Sequence, residues 1–283
     1  KFSCAVPVCA AGWLAYLGVS KYRTVENQLD NERYRFIGGI DSQAYAPYVR
    51  CPVLMLCSTN DIRFDYDRAY DTFSRINPEF AGESTIAYSV KCDASIDGES
   101  TADMFMFLDK HLKGRQMVIP QPGDISVSVD SEQNLVAKVK FDAVGDIIKS
   151  GTFIAEDAID SSIREWIPCA KTVKVSPNEF VSNLDIYKDT AVLFVIAYAT
   201  YVNGFTVWSK IAVKKLSGRF KNTCDKCSLM FSAKNGADGF CISDIRSVAT
   251  GGIFFTDSVV LPEISEKAKG IKGIYSEHGL TTY

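Results

Sequence analysis

"CPVLMLCSTNDIRFDYD", residues 51–67, is the stretch on which the reading of the chain turns. Pro52 to Cys57 is an unbroken apolar run, the pattern of a strand buried on both faces, as strands of a parallel sheet are. The run ends at Ser58-Thr59-Asn60-Asp61, and helical spacing follows over 65–76. The carboxyl end of a buried strand is where α/β proteins gather functional side chains. A catalytic acid there works by orienting an imidazole that takes a nucleophile's proton. Asp61 therefore raises the question of where its histidine and nucleophile are.

Working outward, residues 1–115 alternate strand and helix patterns. Residues 2–9 form a short apolar strand, Gly38-Gly39 and Pro47 break the tyrosine-rich stretch 14–50, and 84–90 is another strand. Residues 98–114 carry helix signals: Ser100 or Thr101 to cap, Asp103 in the first turn, a stripe of Met104, Phe105, Leu108 and Leu112, and Gly114 as the stop.

From residue 124 the periodicity becomes that of β-structure. Ile125, Val127 and Val129 alternate with polar residues, turn at 131–134, and return through Leu135, Ala137, Val139 and Phe141. A second hairpin joins 191–201 to 205–216 through Asn203-Gly204. The expected fold is therefore α/β, a parallel sheet with flanking helices, followed by all-β sandwich domains. The expected divisions are 1–117, an immunoglobulin-like sandwich over 118–217, and part of a further, jelly-roll-like β-domain over 218–283.

Composition narrows the function. A net charge of −3 gives no basic footprint for nucleic acid. No apolar run is long enough to span a bilayer. The nine cysteines are an odd number in apolar, strand-like context. They favour a reduced compartment, or secretion without disulfides, for a soluble protein.

Residues 1–115 resemble the C-terminal half of an α/β-hydrolase of the dienelactone hydrolase and acetylxylan esterase type. The resemblance rests, in order, on "FSCAVPVCAAGWL", "YAPYVRCPVLMLCSTNDIRFDYDRAYDTFSRI", "STIAYSVKCDASID" and "TADMFMFLDKHLKG". It implies that Asp61 holds the acid position and that the histidine belongs where Cys92-Asp93-Ala94 stands. Asp93 then marks a lost histidine. No Gly-x-Ser-x-Gly elbow, nor its Cys version, occurs in the chain. The two histidines are His111, on the flank of the last helix of this region, and His278, in a turn. A carboxylate cannot replace imidazole as the base near neutral pH. The degenerate triad implies a non-catalytic binding or scaffolding role. An esterase completed by an upstream segment or partner chain is the alternative, and a carbohydrate-binding sandwich is a third reading.

Trp13 is a candidate for lining the hydrolase pocket, and Trp166 and Trp208 read as core. Cys224-Asp225-Lys226-Cys227 has only Cys241 nearby, too few ligands for a zinc site. No metal or cofactor is expected. The expected partners are a polypeptide docked against strand 2–9, completing the sheet, and a carbohydrate or ester substrate.

Overall fold

Strand β10, Val192–Tyr201, is apolar at almost every position because it is covered on both faces. Leu193, Val195, Ala197, Ala199 and Tyr201 pack into the interior of a β-sandwich, while Phe194, Ile196 and Tyr198 face a second apolar cluster. This is the two-residue period of a strand, with both sets of side chains buried. A computed structural model of the chain describes residues 2–10, 12–16, 21, 22 and 31–224. All of them fall in one compact unit, Lys1–Asp225.

The helices are α1 (Asn31–Ile40), α2 (Ser42–Tyr45), α3 (Tyr66–Phe73), α4 (Pro78–Ala81) and α5 (Gly98–Lys113). Strands β1 (Leu54–Ser58) and β2 (Thr85–Ser89) belong to the front part of the chain. Then follow β3 (Asp124–Val129), β4 (Leu135–Lys140), β5 (Ile147–Glu156), β6 (Ile167–Pro168), β7 (Thr172–Ser176), β8 (Glu179–Asn183) and β9 (Ile186–Tyr187). After β10 come β11 (Thr206–Trp208), β12 (Ala212–Lys215) and β13 (Thr223–Cys224). One antiparallel sheet has the order β3-β4-β8-β7; the other has β11-β10-β5-β6, with β12 also paired to β10. The two sheets stack as a sandwich, and Ile125, Leu135, Ala137, Val139 and Phe180 fill the space between them.

Both expected hairpins form. β3 pairs β4 from Asp124↔Lys140 to Val129↔Leu135. Gly204, at φ +90°, turns β10 into β11. The return strand is interrupted after Trp208. Ser209 Oγ accepts the Ala197 N–H, Lys210 N–H bonds Gly123, and only then does β12 rejoin β10.

The α/β expectation is overturned. Most of the sheet among the described residues is antiparallel, and the front part holds no extended parallel sheet of hydrolase type. Its parallel pairing is β1 with β2, from Leu54↔Thr85 to Ser58↔Ser89, plus isolated bridges from Ala5 to Val53 and Val8 to Leu56. β1 and β2 are buried throughout for another reason: α3, α5 and the sandwich cover them. Tyr88 on β2 meets Trp208 on β11 edge-on at 5.8 Å, and Tyr66 on α3 meets Trp166 at 5.9 Å. A continuous apolar run reports burial on two faces, and here antiparallel strands supply one of them.

Residues 5–9 run beside β1 without forming a full strand, and Pro7 is the reason. Ala5 donates to Pro52 (2.9 Å) and Cys9 to Leu56 (2.8 Å), while Leu54 and Leu56 donate to Ala5 and Pro7 (both 3.0 Å). Pro7 has no N–H to continue the ladder between them.

Helix α5 shows a second correction. Its cap is Asp97, which accepts the Ser100 N–H at 2.7 Å, and its buried positions are Ser100, Asp103 and Phe107. Phe105 and Leu112, expected in the apolar stripe, are exposed. Met104 packs against the core, but the buried positions at i, i+3 and i+7 include polar residues, so an apolar count finds only part of the packed face. Gly114 stops the helix as expected, at φ +73°.

Front part and sandwich share one apolar cluster, clamped by a buried ion pair. Arg164 makes two bonds to Asp67, at 2.9 and 2.8 Å, and bonds Tyr66 Oη (3.0 Å), Ala158 O (2.9 Å) and Ile159 O (3.0 Å). All five guanidinium N–H groups are thereby used. The guanidinium also stacks on Phe194, 3.7 Å from its centroid. Burial pushes the Asp67 carboxyl up to about 6 against the pull of Arg164.

Candidate functional site around Asp61

The end of β1 is locked to the end of β2 by backbone bonds. Thr59 N–H bonds Ser89 O and Asn60 N–H bonds Cys92 O, both at 3.1 Å. Thr59 Oγ accepts the Lys91 N–H at 2.9 Å. Asn60 reaches into the sandwich and donates to Arg164 O at 2.7 Å. This frame places Asp61 where the sequence expects it, at the carboxyl end of β1, and buries it.

The Asp61 carboxylate is engaged by its own turn. Oδ1 accepts the N–H groups of Arg63 (2.7 Å) and Phe64 (3.1 Å). Oδ2 is buried with no hydrogen-bond partner. Asp93, exposed, accepts the Ile62 N–H at 3.3 Å. The structure thus brings the two predicted acidic positions to one turn, 62–64, where no imidazole stands among the described residues. His111, the one histidine among the described residues, lies on α5 against Phe107, with ring centroids 4.5 Å apart. Its Nε2 is buried, and burial lowers its pKa. His278, Cys227 and Cys241 lie outside the described residues, as does most of 218–283.

Beside Asp61 is a shallow recess with no room for a water molecule, lined by Cys9, Cys57, Ser58, Phe64 and Tyr66 among others. Cys9 Sγ is 3.2 Å from Ser58 Oγ, which in turn accepts the Ser95 N–H at 3.1 Å. Burial raises the Cys9 thiol pKa, and Asp61 and Asp93 raise it further. A thiol held neutral is a poor nucleophile. Among the described residues no group of His, Cys, Asp or Glu side chains is arranged to hold a metal ion. No helix among them is long and apolar enough to cross a membrane.

Trp13 does not line this recess. Its indole N–H donates to Thr72 Oγ1 at 3.0 Å, and the guanidinium groups of Arg68 and Arg75 lie 5.3 and 4.9 Å from its ring. Asp41 holds the turn before it, accepting the N–H groups of Trp13 and Leu14 at 2.9 Å each. Trp166 and Trp208 are both buried. Sequence reasoning missed Asp41, Arg164 and the interior position of Asp103. Each is a polar residue whose partner lies far along the chain, and no local pattern marks it.

No protein-family model matches the chain, and no curated protein does. Among solved structures, a pectate lyase, Pel3 from Pectobacterium carotovorum, is similar over 35% of this chain and 28% of its own length. The identity is 8% and the TM-score 0.23, a likeness that carries no argument. The chain does not bear out the resemblance to dienelactone hydrolases and acetylxylan esterases. No family match supports it, and the sheet it requires is not formed.

Proposed function

We propose that this chain is a binding or scaffolding protein that does not hydrolyse esters through a nucleophile–histidine–acid triad. The observation that carries this reading is the state of Asp61. One oxygen caps the 62–64 turn, the other is buried, and among the described residues neither meets an imidazole. Oδ1 stabilises its own turn, and no base stands against Oδ2 among the described residues for it to orient. On this reading the front part, 1–117, is an added layer on an immunoglobulin-like sandwich over 118–217. The burial of Trp166 and Trp208 removes two aromatic platforms that a carbohydrate-binding reading needs.

The test is turnover of p-nitrophenyl esters of two- to eight-carbon acids by the intact protein, compared with buffer. The expected rate equals the buffer rate at every chain length. A saturable rate above buffer overturns the proposal.

A further inference from the structure

Segment 4–8 presents an open strand edge. Ala5, Pro7 and Cys9 direct their backbone groups at β1, so Cys4, Val6 and Val8 direct theirs to the opposite side. The N–H and C=O groups of those three residues have no partner among the described residues. Cys4 and Val6 are half-buried, while Val8 is 42% and Phe2 85% exposed.

Four other strands among the described residues carry features that discourage pairing. β7 carries Lys174 and a register break between Lys174 and Ser176. β12 ends in exposed Lys214 and Lys215, β6 contains Pro168, and β3 begins at Asp124, ion-paired to Lys210. Charges, bulges and prolines are the ordinary means by which sheets refuse a further strand. Segment 4–8 has none of them on its open side. Pro7 spends its missing donor on the β1 side, and no charged residue occurs from Phe2 to Ser20.

We infer that this edge receives an extended, uncharged strand of another polypeptide, which pairs its backbone with Cys4, Val6 and Val8 beside β1 and β2. The inference rests on the binding role proposed above and names the surface that performs it. Backbone pairing supplies the affinity, and the uncharged flank selects against acidic or basic segments.

The experiment uses the whole chain and a fluorescent peptide of seven alternating Val and Thr residues with a short solubilising tail. Wild type is expected to bind it saturably and to slow amide hydrogen exchange at Val6 and Val8. Val6→Pro removes a donor that the protein does not use internally. It is expected to weaken binding by about tenfold, the value of one backbone hydrogen bond, with an unchanged circular dichroism spectrum. If Val6→Pro does not fold, the exchange measurement on wild type decides alone. Absence of binding, equal binding by Val6→Pro, or unchanged exchange at Val6 and Val8 overturns the inference. So does protection of those amides by dimerisation in the absence of peptide. Peptide failure leaves the non-hydrolytic reading intact, and ester turnover overturns that reading without touching the edge.

Discussion

Asp61 and Asp93 divide between them the three successive N–H groups of Ile62, Arg63 and Phe64. Two carboxylates that the sequence suggests for an acid and a lost base therefore cap a single turn. Asp61→Ala is expected to destabilise the protein by about 1–2 kcal/mol, the cost of losing a cap. Asp93→Ala, at an exposed site with one long bond, is expected to cost under about 0.5 kcal/mol. Urea unfolding of the two variants checks the order.

The Asp67–Arg164 pair predicts a strongly non-additive cycle. Asp67→Leu leaves a buried guanidinium without its counter-charge and is expected to cost about 3–5 kcal/mol. The double variant Asp67→Leu/Arg164→Met removes both charges and is expected to recover most of that loss. Thermal unfolding of the single and double variants measures the coupling.

Asp103 gives a pH dependence with a defined sign. It is buried on α5 and accepts the Thr206 N–H of β11 at 3.0 Å; burial, with Glu99 and Asp97 nearby, pushes its carboxyl up to about 8 against the pull of that hydrogen bond. An acid whose pKa is raised by folding binds more protons in the native state. Its contribution is then fully present below about pH 4 and is lost as pH rises to 8. Asp67 acts in the same direction between about pH 4 and 6. Asp103→Asn retains the acceptor and is expected to raise stability at pH 8 by about 2–5 kcal/mol, with little effect at pH 4. Melting temperatures of both proteins across this range test it.

Gly12 is the position where a side chain is least tolerable. Its φ is +77°, and an added Cβ falls 2.5 Å from Ser42 Oγ and 2.8 Å from Asp41 Oδ1. Gly12→Ala is expected to cost about 1–3 kcal/mol by forcing the Asp41 turn apart. Chemical denaturation checks the size.

What the sequence made legible was local. The buried run 52–57, the Asn203-Gly204 turn, the β3–β4 hairpin and the Gly114 stop each have a mechanism confined to a few neighbouring residues. The layer that covers β1 and β2 was illegible, because two-sided burial has the same apolar signature whether helices, parallel strands or a sandwich supply the cover. For the same reason only part of the expected α5 stripe faces the core: Met104 packs against it, while Phe105 and Leu112 are exposed. Asp103 and Ser100 are buried through contacts with β11 and β2, which no pattern within α5 encodes. At the candidate site, the position of Asp61 was readable from the strand end, but its use was not. That depended on the turn 62–64 folding back onto its carboxylate.

The most direct test of the account is ester turnover by wild type and Asp61→Ala, measured side by side with their unfolding curves. Equal, buffer-level rates with a less stable Asp61→Ala protein are the predicted result. Turnover by wild type that Asp61→Ala abolishes while remaining folded would contradict the structural role given to this carboxylate.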